Sequence, residues 1–472
     1  MNIRRNEHEH YGAFLVDDSG RPYIEYYATA PDIESLKQLI DNRSNVKRDD
    51  RGRNLELEPA QPEKTEFGKQ IWNCFKALES YYYLASYITD ALPSIGRARF
   101  KSKIVDYAEE NFIKVELYDG IQLYSLDSNQ LKHISDERDK IDLMDRGTSK
   151  IRYSILLSIV ATFDSIFSDF CRFVLLQNPE RYHGSDRTYS VSEILKLNGI
   201  QEIIDKVVND EIDQLMAKSH SDQVEFFCKN FGAIIDTSKP RWADFVEVFE
   251  RRNLAAHGDL IVNRRYIDNC QRAGLKALPI IGSLAKINSE YVKKSLDVLI
   301  ETIVILTFQV WRKRRKDESE KAFGVIIEIT FEPLKDGHND AAINICDFAL
   351  NKKDDGLDAS SRQYLTINKA IGLKALGLLD EMQNVINSTD FSASSALVKL
   401  GVACLQDDLE PALALLEPAK VSDHLNVIDL RHWPIFQWAR KQKDFCDKVL
   451  EIFGEGIVLE ESEHKIEPER DQ

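Results

Sequence analysis

Residues 150–176, KIRYSILLSIVATFDSIFSDFCRFVLL, repeat apolar side chains at helical spacing for about seven turns. A helix this apolar needs cover on more than one side, and other helices can supply it. A second window of the same kind, LDVLIETIVILTFQVW, lies at 296–311. Both windows carry acids and fall short of about 20 clean apolar residues, so they read as buried helices, with no membrane partner expected. Between them lie shorter helical segments near 191–197, 200–217 and 222–232. Lys239-Pro240 opens a further helix, with Trp242, Phe245, Val246 and Phe249 on one face. Asn288 with Glu290 marks the start of the last helix. Residues 150–316 therefore predict an all-α unit.

The flanks are less uniform. YGAFLVDDSGRPYIEYYATA (11–30) predicts two strands around a DDSG turn, and the polar stretch 45–54 predicts a loop. Periodicity predicts amphipathic helices over 67–88 and 98–117, and a helix capped at Asp127/Ser128 running through LKHISDERDKIDLM. No chemistry is visible in 1–145. Farther on, AAINICDFAL (341–350), LLDEMQNVIN (378–387) and LEPALALLEP (409–418) recur with longer helices before the last two. Helix pairs at a period near 34 residues resemble tetratricopeptide repeats. The expected layout is a mainly α chain. An N-terminal accessory domain, α/β or α, spans 1–145; an all-α bundle, 146–318; a helical repeat domain, 319–455; and a charged tail, 456–472.

Composition excludes some functions. A formal net charge of -16 argues against a protein that coats nucleic acid over its whole surface, while leaving room for a local basic site. The seven cysteines are scattered without a C-x-x-C pair. That usage predicts a reducing cytoplasm, with no disulfide framework and no thiolate zinc site. MNIRRNEHEHYG has no apolar core, so no secretory signal is expected. No ligand cluster for a catalytic metal and no cofactor motif is visible. Neither G-x-S-x-G nor H-E-x-x-H occurs, which disfavours a serine or metal hydrolase.

The chemistry concentrates in RRNLAAHGDLIVNRRYI, residues 251–267. Arg252 and His257 lie five positions apart, about 140° around an ideal helix. They can meet one target only if the helix ends between or beside them, and Gly258 is a residue type that follows helix ends. An arginine fork matches phosphate oxygens, and a histidine moves a proton near neutral pH. Together with Asn253 they suffice for metal-independent RNA cleavage, in which a 2′-hydroxyl attacks its own phosphate and leaves a 2′,3′-cyclic phosphate. The plain alternative is that a cation and a histidine at a helix C-terminus simply suit its dipole. The spacing alone is common: Arg5 and His10 share it.

The stretch resembles the signature of the HEPN superfamily, whose ribonucleases carry Arg, a polar residue and His at this spacing. Several of its families continue with Gly, Val-Asn and Tyr, here Gly258, Val262, Asn263 and Tyr266. The likeness covers about 165 residues, 150–316, and implies a HEPN-like helical bundle that pairs as a homodimer. Arg252, Asn253 and His257 from two copies would then face one cleft on an RNA substrate. It implies a defence role in bacteria, with a protein trigger or partner at the helical repeats. Tyr266 and Asn263 read as structural supports. Asp259 stands where toxin members regulated by AMP transfer carry Tyr, which disfavours that version. Candidate RNA contacts are Arg251, Arg264 and Arg265, and then Arg312, Arg314 and Arg315 of WRKRRK. The last three equally suit a helix end. Ser154, Ser158, Thr162, Ser165 and Asp169 form a polar stripe on the first helix. It reads as a hydrogen-bonded face or, with Asp164, as cleft lining. The competing whole-chain reading is a non-catalytic dimerisation or RNA-binding unit within a repeat scaffold.

Overall fold

The structure is a computed structural model that describes residues 11–16, 22–30, 65–118, 121–178, 180, 190–191, 199–257, 260–350 and 357–457. The expected loop at 45–54, most of the expected helix at 191–197, Gly258 and Asp259 lie outside them. The chain divides into two compact units, Met1–Thr65 and Glu66–Gln472. The first contains β1 (Tyr11–Val16) and β2 (Pro22–Ala30), an antiparallel pair over the stretch where the sequence predicts two strands.

The second unit is mainly α-helical. It opens with α1 (Glu66–Ser86), which passes through a π turn into α2 (Leu92–Asn111). The helix predicted over 98–117 ends early, because Ile113–Tyr118 form β3, antiparallel to β4 (Ile121–Ser125). The sequence IKVELY alternates at the period of a strand, and the Asp119-Gly120 pair after it is a hairpin signal; together they outweigh the helical spacing. Phe112 meets Tyr107 of α2 and Tyr124 of β4 edge-on, tying the hairpin to the helix.

Asp127 then starts α3 (Ser128–Leu176) with a capping box. Its side chain accepts from the backbone N–H of Asn129 and Gln130, and the Gln130 side chain accepts from Asp127 N. The helix runs unbroken for 49 residues, so the expected boundary at 145/146 falls inside it. Its second half is the apolar window, with Ile155, Leu156, Ile159, Phe163, Phe167, Phe170 and Val174 all buried. Tyr153–Leu176 is long and apolar enough to cross a membrane by length and composition, and here its apolar positions line the core.

Next come α4 (Ile200–Met216), α5 (His220–Phe231), α6 (Pro240–His257), α7 (Arg264–Arg272) and α8 (Ser289–Arg314). Every residue of α8 from Leu296 to Trp311 except Ile305 is buried, so it is the central helix. The α1 helix lies against it, and Phe67 stacks on Trp311 with ring centroids 6.2 Å apart. One core runs from Phe67 of α1 to Leu365, and neither 145/146 nor 318/319 interrupts it. The break in packing is at 65/66. An amphipathic helix such as α1 does not declare which neighbour it will cover, so the sequence alone does not place it with the main core.

Among its described residues the C-terminal part builds three helical hairpins: α9 (Ser319–Lys335) with α10 (Asn339–Leu350), α11 (Ala359–Ala375) with α12 (Leu379–Asn387), and α13 (Ala396–Leu405) with α14 (Leu409–Asp423). All three turn the same way. Gly337, Gly377 and Asp407 hold positive φ values of 76°, 76° and 59°. The following residue donates back to the helix: His338 to Pro333 O, Leu378 to Leu373 O, and Asp408 to Ala403 O, at 2.9, 2.9 and 3.0 Å. This is one Schellman turn used three times, at intervals of 40 and 30 residues. Gly372 lets the second hairpin approach the first closely, since a Cβ there would lie 2.8 Å from Ile343. Two further helices, α15 (Val427–His432) and α16 (Lys443–Phe453), close the array.

Candidate active site

The motif occupies the last turns of α6. Phe245, Val248, Phe249 and Leu254 anchor that helix in the core, where Phe245 and Phe249 pack on Phe163 of α3. His257 is its last helical residue. The chain is then drawn back under the helix. Leu260, fully buried at φ 62°, donates to Leu254 O, while Ala285 donates to Leu260 O at 2.9 Å. A buried leucine in the left-handed region is strained, and the packing around it has to maintain that geometry. Asn263 caps α7, its Oδ1 accepting from Tyr266 N at 2.9 Å.

The two arginines at the centre of the motif have different surroundings. Arg251 donates from Nε to Glu247 Oε1 at 2.7 Å and from Nη1 to Lys286 O at 2.7 Å, and it stacks over Tyr291 at 3.8 Å. The hydroxyls of Tyr266 and Tyr291 donate to the two oxygens of Glu247 at 2.5 and 2.7 Å. Burial, with the Glu247 carboxylate beside it, holds the Tyr266 phenol well above its ordinary value. Arg251 is thus committed to a part-buried network rather than offered to solvent. Glu247 went unnoticed in the sequence, although its place four residues before Arg251 is the spacing of a helical ion pair.

Arg252 is turned about 100° from Arg251. Among the described residues its nearest ion is Asp164 of α3, with Nη2 3.9 Å from Oδ2, and its Nε is buried without a hydrogen-bond partner there. Asp164 Oδ1 in turn meets His220 Nε2 at 2.8 Å, and the His220 ring stacks on Phe249 at 3.6 Å. Arg252, Asp164 and His220 therefore converge from α6, α3 and α5. The polar stripe on α3 divides accordingly. Ser154 and Ser158 spend their hydroxyls on their own helix, at Lys150 O and Ser154 O, and Thr162 meets Tyr81. Asp164 alone of the stripe's neighbourhood reaches the motif. His220 follows the Ser219 cap of α5 and carries no motif of its own, so nothing in the sequence singled it out.

Asn253 is half-buried and His257 exposed. Because the helix persists to His257, that side chain leaves about 140° around the axis from Arg252 and roughly 7 Å farther along it. Arg264 and Arg265 on α7 are largely exposed, Arg264 pairing with Asp268 at 3.1 Å and Arg265 lying 4.0 Å from Glu250 of α6. They stand near the motif. Arg312, Arg314 and Arg315 do not. The α8 helix runs antiparallel to α6, with Tyr291 beside Glu247 and Glu301 beside Arg241, so its last turn lies about 30 Å from the motif. Arg312 stacks over Phe323 at 4.7 Å and donates to Ser319, and Arg314 lies over Phe231. The grouping of WRKRRK with the motif as one RNA surface in a single chain does not hold.

All seven cysteines are free thiols, and among the described residues no three His, Cys, Asp or Glu side chains gather as a metal set. No protein-family model, no curated protein and no solved structure matches this chain.

Proposed function

We propose that this chain is a metal-independent endoribonuclease of the HEPN type, acting as a homodimer in the cytoplasm, with a tetratricopeptide-like array at its C-terminal end. The observation that carries the reading is the contrast between Arg251 and Arg252. One neighbour is fully satisfied; the other keeps a buried, unpartnered Nε and only a long contact to a carboxylate. A guanidinium that lacks its own carboxylate fork suits a phosphate, whose oxygens complete the missing bonds.

In this reading Arg252 grips the scissile phosphate and stabilises charge on its oxygens as the 2′-hydroxyl attacks. The new bond joins the 2′-oxygen to phosphorus while the bond to the 5′-oxygen breaks. His257 relays the proton from the 2′-hydroxyl to the leaving oxygen. Asn253 orients the phosphate, and Asp164 with His220 positions Arg252. Since Arg252 and His257 diverge around α6 within one chain, the partner copy completes the set. Arg264 and Arg265 guide the RNA strand in, and the three hairpins offer a protein trigger a concave surface. The trigger would release the nuclease in bacterial defence.

The competing reading, a non-catalytic RNA-binding or dimerisation unit, draws on His257 being exposed at the helix end, with no hydrogen bond or ion pair to hold it among the described residues. Parent and His257→Ala protein, incubated with total RNA and with tRNA in EDTA, separate the two. Cleavage by the parent alone, leaving 2′,3′-cyclic phosphate ends, is expected. Equal cutting by both would sink the assignment. Binding without cutting by either, together with harmless overexpression in cells, would favour the non-catalytic unit.

A further inference from the structure

A cavity of about 460 Å³ opens where α6 begins, walled by α6, α8 and α10. It is separate from the motif: Arg241 in its wall lies eleven residues before Arg252, about 16 Å along the helix. Its volume falls in the range of small-molecule sites. The entry segment is pinned, since Gln309 Oε1 accepts from Ile234 N and Gln309 Nε2 donates to Ile234 O.

The polar groups in the wall do not balance. Three carboxylates line the cavity, and each has its own partners. Asp236 accepts from the backbone and hydroxyl of Ser238, at 3.0 and 2.6 Å. Glu301 accepts from Arg241 Nε at 2.6 Å and Asn344 Nδ2 at 3.1 Å. Asp347 pairs with Lys369 at 2.5 Å. On the donor side, Arg241 Nη2 is buried with no acceptor among the described residues. Orphaned buried donors are rare in folded proteins, so this one lacks an acceptor that a ligand would bring. Trp242, stacked on Phe245 at 5.3 Å, and Phe348 supply flat apolar wall, and Lys239 is exposed at the rim.

We propose that this cavity binds a nucleotide monomer. Its planar base would lie against Trp242 and Phe348 and accept from Arg241 Nη2, and its phosphate would meet Lys239. A heteroaromatic ring offers a stacking face and an in-plane acceptor together, which the wall requires, and the charged tail suits the rim. The cavity joins the bundle to the first C-terminal hairpin through Asn344 and Phe348 of α10, so an occupant would couple the two parts.

The test is calorimetric titration of the full chain with AMP, GMP, CMP and UMP, and with the matching nucleosides and inorganic phosphate. None of these probes has a phosphodiester to cut, so the result is independent of nuclease activity. We expect one site per chain for at least one monophosphate. Lys239→Ala, at an exposed position, should weaken the monophosphate several-fold and leave the nucleoside unchanged. Ile305→Trp, which fills the cavity and spares Arg241 and Glu301, should abolish both. Displacement by a 2′-O-methylated tetranucleotide would assign the nucleotide to an RNA strand, and its absence to a free monomer. No monophosphate bound at millimolar concentration would overturn the proposal. So would an affinity that Lys239→Ala leaves intact, or one that survives in a folded Ile305→Trp protein.

Discussion

Alanine at Arg251 and alanine at Arg252 should have opposite consequences. Arg251→Ala removes an ion pair whose side chains are only 17% and 9% exposed, together with the bond to Lys286 O and the stack on Tyr291. Breaking a buried pair costs about 3–5 kcal/mol, because the surviving charge is left uncompensated. Glu247 keeps the hydroxyls of Tyr266 and Tyr291, which favours the lower end, about 3 kcal/mol. A cooperative unit of roughly 400 residues unfolds with about 0.8 kcal/mol/K of entropy, so the melting temperature should fall by about 4 °C. Arg252 makes one contact at 3.9 Å between side chains 26% and 30% exposed. Such a pair contributes about 0–1 kcal/mol, and losing a buried Nε that has no partner offsets part of it. Its melting temperature should stay within about 1 °C of the parent. Cleavage of tRNA, measured well below either transition, should drop at least about 100-fold for Arg252→Ala and persist for Arg251→Ala. Scanning calorimetry and a gel assay on the same preparations give both readouts. Equal thermal shifts, or undiminished cleavage by Arg252→Ala, would refute the division of labour between the two arginines.

If the catalytic set is shared between copies, mixing and refolding Arg252→Ala with His257→Ala protein should recover part of the activity that each lacks alone; a mixture as inactive as its components would argue for a site within one chain. The raised Tyr266 phenol makes alkaline stability a second readout. Its contribution is fully present below about pH 10 and is lost as pH rises from there towards the folded value, so melting temperature should fall more steeply above pH 10 in the parent than in Tyr266→Phe. Two glycines should respond with opposite signs. Gly377→Ala, at φ 76°, should cost about 1–2 kcal/mol. Gly324→Ala, inside α9 with nothing within 4 Å of the new Cβ, should gain about 0.5–1 kcal/mol, both read by denaturant titration.

Much of the fold is legible along the chain because its signals are local. The apolar spacing of 153–176 and 296–311, the Asp127 and Asn288 caps and the proline before Arg241 each act within a few residues of themselves, and each appears in α3, α6 or α8. The β1–β2 hairpin is legible for the same reason, and Gly337 and Gly377 mark two of the three repeated turns. The third turn uses Asp407, which sequence pattern does not distinguish from any other polar loop residue. The motif itself was readable as residue types at a spacing, but the roles within it were not. Arg251 and Arg252 are the same residue at adjacent positions, and only their partners tell them apart. Those partners are Lys286 and Tyr291 on one side, Asp164 and His220 on the other, brought in from distant parts of the chain. The separation of Arg312 from the motif and the membership of α1 in the main core likewise depend on which helices meet and in what direction. Periodicity along one helix encodes that it must be covered; which charge ends up buried beside which carboxylate is decided only when the helices pack.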